Sequence, residues 1–394
     1  MMRIEVNEDK CLLSEHKGCN NCVTICPSHV LGIREGRIKS LRPEECISCH
    51  CCKGTCPAGL DVITVEEMRP LERKDVRKRL QTWDGLKIPL GRLTISTPLI
   101  IASGPIGRCS RGWLRARAEG CGAVVTKTTT PIPWRGNPAI RLLPYQKDMI
   151  LNCEGLPNLG AEAIAREIQL AKTLDPNLIL IPSIAAYTKE EYIRMAILLE
   201  DAGADGLEIP LMGCPNYRAD NPVAQAWNEN PQQAYDLVNG LRKALKLSLW
   251  VKGAQNLEMA RACEEAGADA LLIRSGSLRA IALDPLTGKP LLSHPWGEGS
   301  LAGPYTKLPG LKIVAEMVGQ LKIPIIGNGG ITCGQDVIDY LRVGASAVEL
   351  LTVIIRKGLS VLPKILCEIE AYLKRHGYKN IGEIRGESLQ YIKK

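Results

Sequence analysis

Nine of the sixteen cysteines lie between Cys11 and Cys56, while the other seven are scattered singly from Cys109 to Cys367. A chain so divided combines two regimes, a short thiol-dense segment and a long one of ordinary composition. Cys46, Cys49, Cys52 and Cys56 are spaced C-x2-C-x2-C-x3-C and followed by Pro57. Cys11, Cys19, Cys22 and Cys26, followed by Pro27, keep the last two spacings but have seven residues where two are usual.

This spacing is similar to that of the bacterial two-cluster ferredoxins, in which three thiolates on a tight loop hold one iron–sulfur cluster and the fourth reaches across to the other. The reading is two [4Fe–4S] clusters, one held by Cys11, Cys19, Cys22 and Cys56, the other by Cys46, Cys49, Cys52 and Cys26, with Cys51 spare. Residues 1–64 are then a small α+β ferredoxin-like domain. A disulfide scaffold competes, but Met1 to Lys10 carries Arg3, Glu5, Glu8, Asp9 and Lys10 and lacks the apolar stretch of a secretory signal. A cytoplasmic location follows, where disulfides are rare. Zinc is the other alternative, although its C-x2-C halves usually stand further apart.

From Val65 to Leu90 the composition shifts to a charged run including Arg69, Glu72, Arg73, Lys74, Asp75, Arg77, Lys78 and Arg79, which reads as a solvated linker helix over 65–90. Beyond it, over 91–394, four segments echo one another: Gly120 to Val125, Ala202 to Leu207, Ala266 to Leu271 and Val343 to Val348. Each ends a helical pattern with a glycine suited to a left-handed helix terminus and opens an apolar strand. Between them lie strand candidates at Leu99 to Ala102, Leu178 to Ile181, Leu249 to Val251 and Ile323 to Ile326. Eight strands alternating with helices over about 300 residues predict an α/β fold, a (β/α)8 TIM barrel, with its active site on the loops after the strands. The alternative, an open doubly wound sheet, lacks its G-x-G-x-x-G turn after an early strand.

The net charge of +8 comes without a stacking module or a helix-turn-helix, so no nucleic-acid partner is expected. The longest apolar stretches, Pro98 to Ala102 and Val348 to Ile355, fall short of the roughly 18 residues of a membrane helix, and no membrane association is expected. At the predicted strand ends stand Ser103-Gly104, Lys127-Thr128, Cys214 with Asn216, Lys252, Arg274-Ser275 and Gly329-Gly330. Two lysines and several polar groups around one cavity suit an anionic or electron-rich small molecule. The glycines after strand seven offer backbone N–H groups where barrels often hold a phosphate.

From about Thr97 onward the chain resembles the dihydroorotate and dihydropyrimidine dehydrogenases, through Pro98-Leu-Ile-Ile-Ala-Ser-Gly104, Gly122-Ala-Val-Val-Thr-Lys-Thr128, Gly155-Leu-Pro-Asn158, Cys214-Pro-Asn216 and Ile323-Pro-Ile-Ile-Gly-Asn-Gly-Gly-Ile331. The resemblance implies an FMN-binding barrel. It implies that Ala102, Ser103, Gly104, Lys127, Thr128, Asn152, Lys252 and Ser275 contact the flavin or its substrate, and that Gly303, Gly329, Gly330 and Thr352 lie near the ribityl phosphate. Cys214 would be the acid–base residue, with Lys127 beside it in the catalytic site, and Asn152, Asn216, Arg274 and Ser275 would meet the substrate.

The chain departs from the family pattern twice. Pro210-Leu211-Met212-Gly213 fills the approach to Cys214 where the pyrimidine-handling relatives have an asparagine, and Arg274-Ser275 stands for Asn-Thr or Asn-Ser. An arginine only donates hydrogen bonds and suits a carboxylate or phosphate rather than an imide edge. The expected activity is hydride exchange between FMN and an activated C–C bond of a small cyclic, anionic substrate. No nicotinamide-binding signature is visible, so the expected electron partner is a ferredoxin or a separate flavin- and NAD-binding subunit, with this chain an oligomer or complex subunit. The alternative is an electron-transfer subunit whose barrel binds flavin without substrate chemistry.

Overall fold

The computed structural model describes residues 2–13, 19–212, 226–254, 256–274 and 278–392. All eight predicted barrel strands are present: β1 (Leu99–Ile101), β2 (Ala123–Val125), β3 (Leu180–Ile181), β4 (Gly206–Pro210), β5 (Ser248–Lys252), β6 (Ala270–Arg274), β7 (Ile325–Asn328) and β8 (Ala347–Leu350). They are parallel and hydrogen-bonded in the order β3-β2-β1-β8-β7-β6-β5-β4. The ring closes where the Glu208 N–H donates to the Pro182 carbonyl at 2.8 Å and the Ile184 N–H to the Glu208 carbonyl at 3.2 Å. Helices follow the strands, from Ser110–Ala118 after β1 to Val361–Arg375 after β8. The four echoed glycines, Gly120, Gly203, Gly267 and Gly344, have φ between 98° and 102°. That conformation ends each helix and turns the chain into the next strand, which explains the sequence repeat.

The strands are apolar on both faces because one face fills the barrel and the other meets the helices. With no phenylalanine in the chain, Trp113, Trp250, Tyr192 and Tyr340 are the largest fully buried side chains. A hairpin of Ile88–Leu90 and Leu93–Ile95 closes the amino end, where Arg92 meets Asp269 at 2.8 Å. A four-stranded antiparallel sheet covers the other end, in the order Leu278–Ile281, Glu298–Ala302, Met149–Asn152, Leu142–Tyr145.

Before the barrel, Met2–Val6 pairs antiparallel with Ile63–Glu67, and Leu31–Arg34 with Arg37–Ser40. One-turn helices at Asn21–Thr24 and Cys51–Gly54 carry the cysteine loops over a small core of Met2, Ile4, Val30, Leu31, Ile38, Val62 and Ile63. The linker helix expected over 65–90 is absent. That stretch holds the end of a strand, one-turn 3-10 segments at Arg73–Asp75 and Asp84–Leu86, and the strand Ile88–Leu90. Pro70 donates no N–H and biases Arg69 away from helical geometry, and the apolar residues of the run, Leu71, Val76, Trp83 and Leu86, pack on the barrel core from an irregular backbone. Its charges form ion pairs instead, Arg69 with Asp75 at 2.7 Å and Arg77 with Glu45. Among the described residues no helix is long and apolar enough to cross a membrane.

Candidate active site and cysteine-lined cavities

A cavity of about 300 Å3 opens at the carboxyl end of the barrel. Its lining includes Ala102, Ser103, Gly104, Lys127, Thr128, Asn152, Lys252, Gly303, Gly329, Gly330 and Thr352, so the structure brings these sequence candidates together. Cys214, Asn216 and Ser275 lie outside the described residues. Arg274 ends β6 through its backbone, and its side chain is likewise outside them.

The inner end of the cavity is charged. Lys252 Nζ donates to Ser103 Oγ, Glu208 Oε2 and Glu349 Oε2, each at 3.1 Å. Burial pushes Lys252 toward the neutral amine, but the two carboxylates outweigh it and hold the ammonium above its ordinary range. Burial likewise raises Glu208, and Lys252 together with hydrogen bonds from Glu349 and Ser183 outweighs it, leaving Glu208 below the usual carboxylate range. Glu349 is held well above that range by burial and by the charge of Glu208. At the wall, Lys127 Nζ meets Glu154 Oε2 at 2.6 Å, Thr128 and Ser183 share a hydroxyl hydrogen bond at 3.0 Å, and Asn152 Nδ2 donates to the Ser300 carbonyl at 3.0 Å.

At the Gly329–Gly330 loop the backbone approaches itself so closely that side chains are excluded. Gly330 has φ +69°, and a Cβ there would lie 2.5 Å from the Lys307 backbone nitrogen. Gly329 has φ +114°. Both glycines line the cavity, where backbone uncovered by side chains is open to an anion.

The cysteine loops enclose two further cavities. One is lined by Cys26, Cys46, Cys49 and Cys52 together with Ile4, Val30 and Ile47, the other by Cys11, Cys19, Cys22 and Cys56 together with Val6, Ile38 and Ile63. Cys26 and Cys56 thus each cross to the other loop's cavity. No disulfide joins the described cysteines. Burial and neighbouring thiols push Cys22 and Cys46 up to about 12. Among the described residues no three His, Cys, Asp or Glu side chains converge as the ligands of a single ion would. The Cys26 cavity is the one beside the barrel: Cys109 donates its S–H to the Ile47 carbonyl at 3.6 Å, and the Arg141 N–H, next to the cavity-lining Leu142, donates to the Gly54 carbonyl at 2.9 Å.

The dihydroorotate dehydrogenase family model matches residues 86–373. The chain belongs to the dihydroorotate dehydrogenase family. Members are FMN-dependent oxidoreductases acting on CH–CH groups, and the match begins only after the cysteine-rich segment. The barrel region is similar to the dihydroorotate dehydrogenase B (NAD(+)) catalytic subunits of Pyrococcus abyssi, 34% identical over 311 residues (77% of this chain and 99% of the relative), and of Thermococcus kodakarensis, 34% identical over 311 residues (77% and 98%). The dihydroorotate dehydrogenase of Eimeria tenella, solved in complex with ferulenol, superposes with a TM-score of 0.65 at 21% identity, covering 78% of this chain and 89% of that one, which supports the dihydroorotate dehydrogenase fold.

Three acids at this end of the barrel escaped the sequence reading: Glu154 and Glu349, which line the cavity, and Glu208, which pairs with Lys252 behind it. The last two left a signal, a lone carboxylate inside the apolar strands Gly206–Pro210 and Ala347–Leu350, where no acid is tolerated unless paired. Glu154 left none, because nothing in its loop marks its partner. One-sided removal of a buried ion pair costs about 3–5 kcal/mol. Glu154→Gln is therefore expected to lower the melting temperature clearly, while the double variant Glu154→Leu/Lys127→Met recovers most of the loss. Strictly additive effects in a thermal melt would exclude this coupling.

Proposed function

We propose that the chain is an iron–sulfur flavoprotein dehydrogenase that exchanges hydride with an activated C–C bond of a small cyclic, anionic substrate in the barrel cavity. In this reading FMN supplies the hydride chemistry there and two [4Fe–4S] clusters relay single electrons. The observation that carries it is the pair of cavities, each walled by four cysteines in crossed combination, one of them beside the wall of the barrel cavity. Four thiols around each cavity form a soft donor set suited to iron–sulfur chemistry, and apart from Ser28 and His50 in one cavity and Asn21 in the other the remaining lining is apolar.

The chain's own residues have separable tasks. The N–H groups around Gly329 and Gly330 and the start of the helix Thr352–Lys357 hold a phosphate. Lys252, fixed from three sides, presents positive charge where the reduced ring gathers negative charge. Cys214 exchanges a proton with the substrate carbon next to the hydride site, and Asn152, Asn216 and Ser275 orient the substrate. Lys127 is already paired with Glu154, so an anionic substrate finds its counter-charge at Arg274, whose planar fork suits a carboxylate. Arg274→Gln is expected to raise the substrate's KM at least about 30-fold, about 2 kcal/mol, with a smaller change in kcat; unchanged kinetics would discard this role.

The deciding experiment is an iron and acid-labile sulfide count on anaerobically purified protein together with the spectrum of the released flavin. Zinc, or a barrel without flavin, overturns the proposal. The electron partner in this reading is a ferredoxin or a flavin- and NAD-binding subunit, and rapid reduction of substrate by NADH with the purified chain alone would contradict it. A second reading, an electron-transfer subunit without substrate chemistry, draws on Leu211-Met212-Gly213 and Arg274, which stand where the pyrimidine-handling relatives carry asparagines. Reoxidation of the reduced flavin by candidate substrates under anaerobic conditions separates the two.

A further inference from the structure

An ammonium has three N–H donors, and those of Lys252 are all taken, by Ser103, Glu208 and Glu349. The two carboxylates come from β4 and β8 and converge on Lys252 of β5 inside the barrel. Both side chains are 0% exposed. Each has one oxygen, Oε1, buried and without a donor. Ser183, which hydrogen-bonds Glu208, and Thr128 beside it are neutral, Asn328 donates to the Glu349 backbone carbonyl at 3.5 Å, and Lys127 is engaged by Glu154. Two ionised carboxylates around one ammonium would leave a net negative charge in the barrel interior, with two like charges sharing one Nζ. Such pairs resolve by keeping one proton between them.

The two acids are not equivalent. Lys252 and Glu349 line the barrel cavity, whereas Glu208 lies behind them. We infer that Glu349 is a neutral carboxylic acid, hydrogen-bonded to ionised Glu208, and that it is a positioning residue: the partner that Lys252 releases when a ligand ring in the cavity takes its third N–H. Burial and the charge of Glu208 both act in this direction on Glu349. The displacement clause rests on the cavity holding FMN; the protonation does not. A neutral acid is the cheaper partner for Lys252 to give up, because the Lys252–Glu208 ion pair stays intact.

The test uses the full chain in two states. In the protein without flavin, infrared difference spectra between wild type and Glu349→Gln at neutral pH should show the C=O stretch of a buried carboxylic acid in wild type alone. Glu349→Asp, which keeps the acid, should shift the band, and serves if the glutamine variant does not fold. With FMN added, the wild-type band should move, while Glu349→Gln should change FMN affinity less than about threefold and leave the bound-flavin potential in place; Glu208→Gln should displace that potential. A wild-type spectrum lacking the band, or a flavin potential raised by Glu349→Gln as much as by Glu208→Gln, overturns the inference. An infrared band that appears as expected in a protein that takes up no FMN sinks the functional proposal and leaves the protonation standing.

Discussion

Gly330→Val is expected to deprive the protein of FMN, weakening its affinity about 100-fold or more. The glycine has φ +69°, and a Cβ would sit 2.5 Å from the Lys307 backbone nitrogen and 2.7 Å from its side chain. A β-branched residue is strained at that φ before any clash is counted, so the loop must swing away from the helix Lys307–Met317. The swing carries off the N–H groups that face the phosphate. Losing two hydrogen bonds to a charged group, at about 1.5–3 kcal/mol each, reaches the 100-fold mark. Titration of apoprotein with FMN, followed by fluorescence quenching, gives the affinity, and a thermal melt without FMN separates local from global damage. Gly330→Ala should be intermediate, since its methyl group meets the same backbone atom without the second branch. If the valine variant keeps its affinity, the phosphate is not held at this loop.

The barrel was legible because its repeats are written as local chemistry. A glycine that must take φ near 100° ends a helix, and the apolar run after it can only be a strand buried on both faces. The cysteine spacing was equally local, and the two small cavities are lined by Cys26 with the second run and by Cys56 with the first. What depends on distant partners was not legible. Glu208 and Glu349 come from strands four and eight, and only closure of the barrel brings both to Lys252. The Lys127–Glu154 pair joins two loops whose separate sequences say nothing of each other. The charged run before the barrel misled for the opposite reason. Its residues have good helical propensity one by one, but with Pro70 near its start and its apolar side chains drawn onto the barrel core no helix forms, and the charges pair with each other and with neighbouring surfaces.

Single serine substitutions in the cysteine loops are expected to remove iron in two groups that cut across the sequence runs. Cys49→Ser should lose about half of the iron and sulfide, one cluster of two, because each cubane needs its full thiolate set. Cys26→Ser, although it lies in the first run, should abolish the same paramagnetic signal as Cys49→Ser, since Cys26 lines the cavity of Cys46, Cys49 and Cys52. Cys56→Ser should instead match Cys22→Ser. Cys51→Ser is the control: Cys51 is buried but lines neither cavity, and its substitution should spare both clusters. Because bound metal is also folding free energy, each depleted variant should unfold at a lower temperature than the loaded protein. Electron paramagnetic resonance of the dithionite-reduced proteins, with an iron count on each, checks the grouping. Signals that sort by run, with Cys26 beside Cys19 and Cys22, would mean that the two loops do not exchange their fourth ligand. The cavity beside the barrel would then belong to another set of thiolates, and the proposed path of electrons from it to the flavin would lose its support.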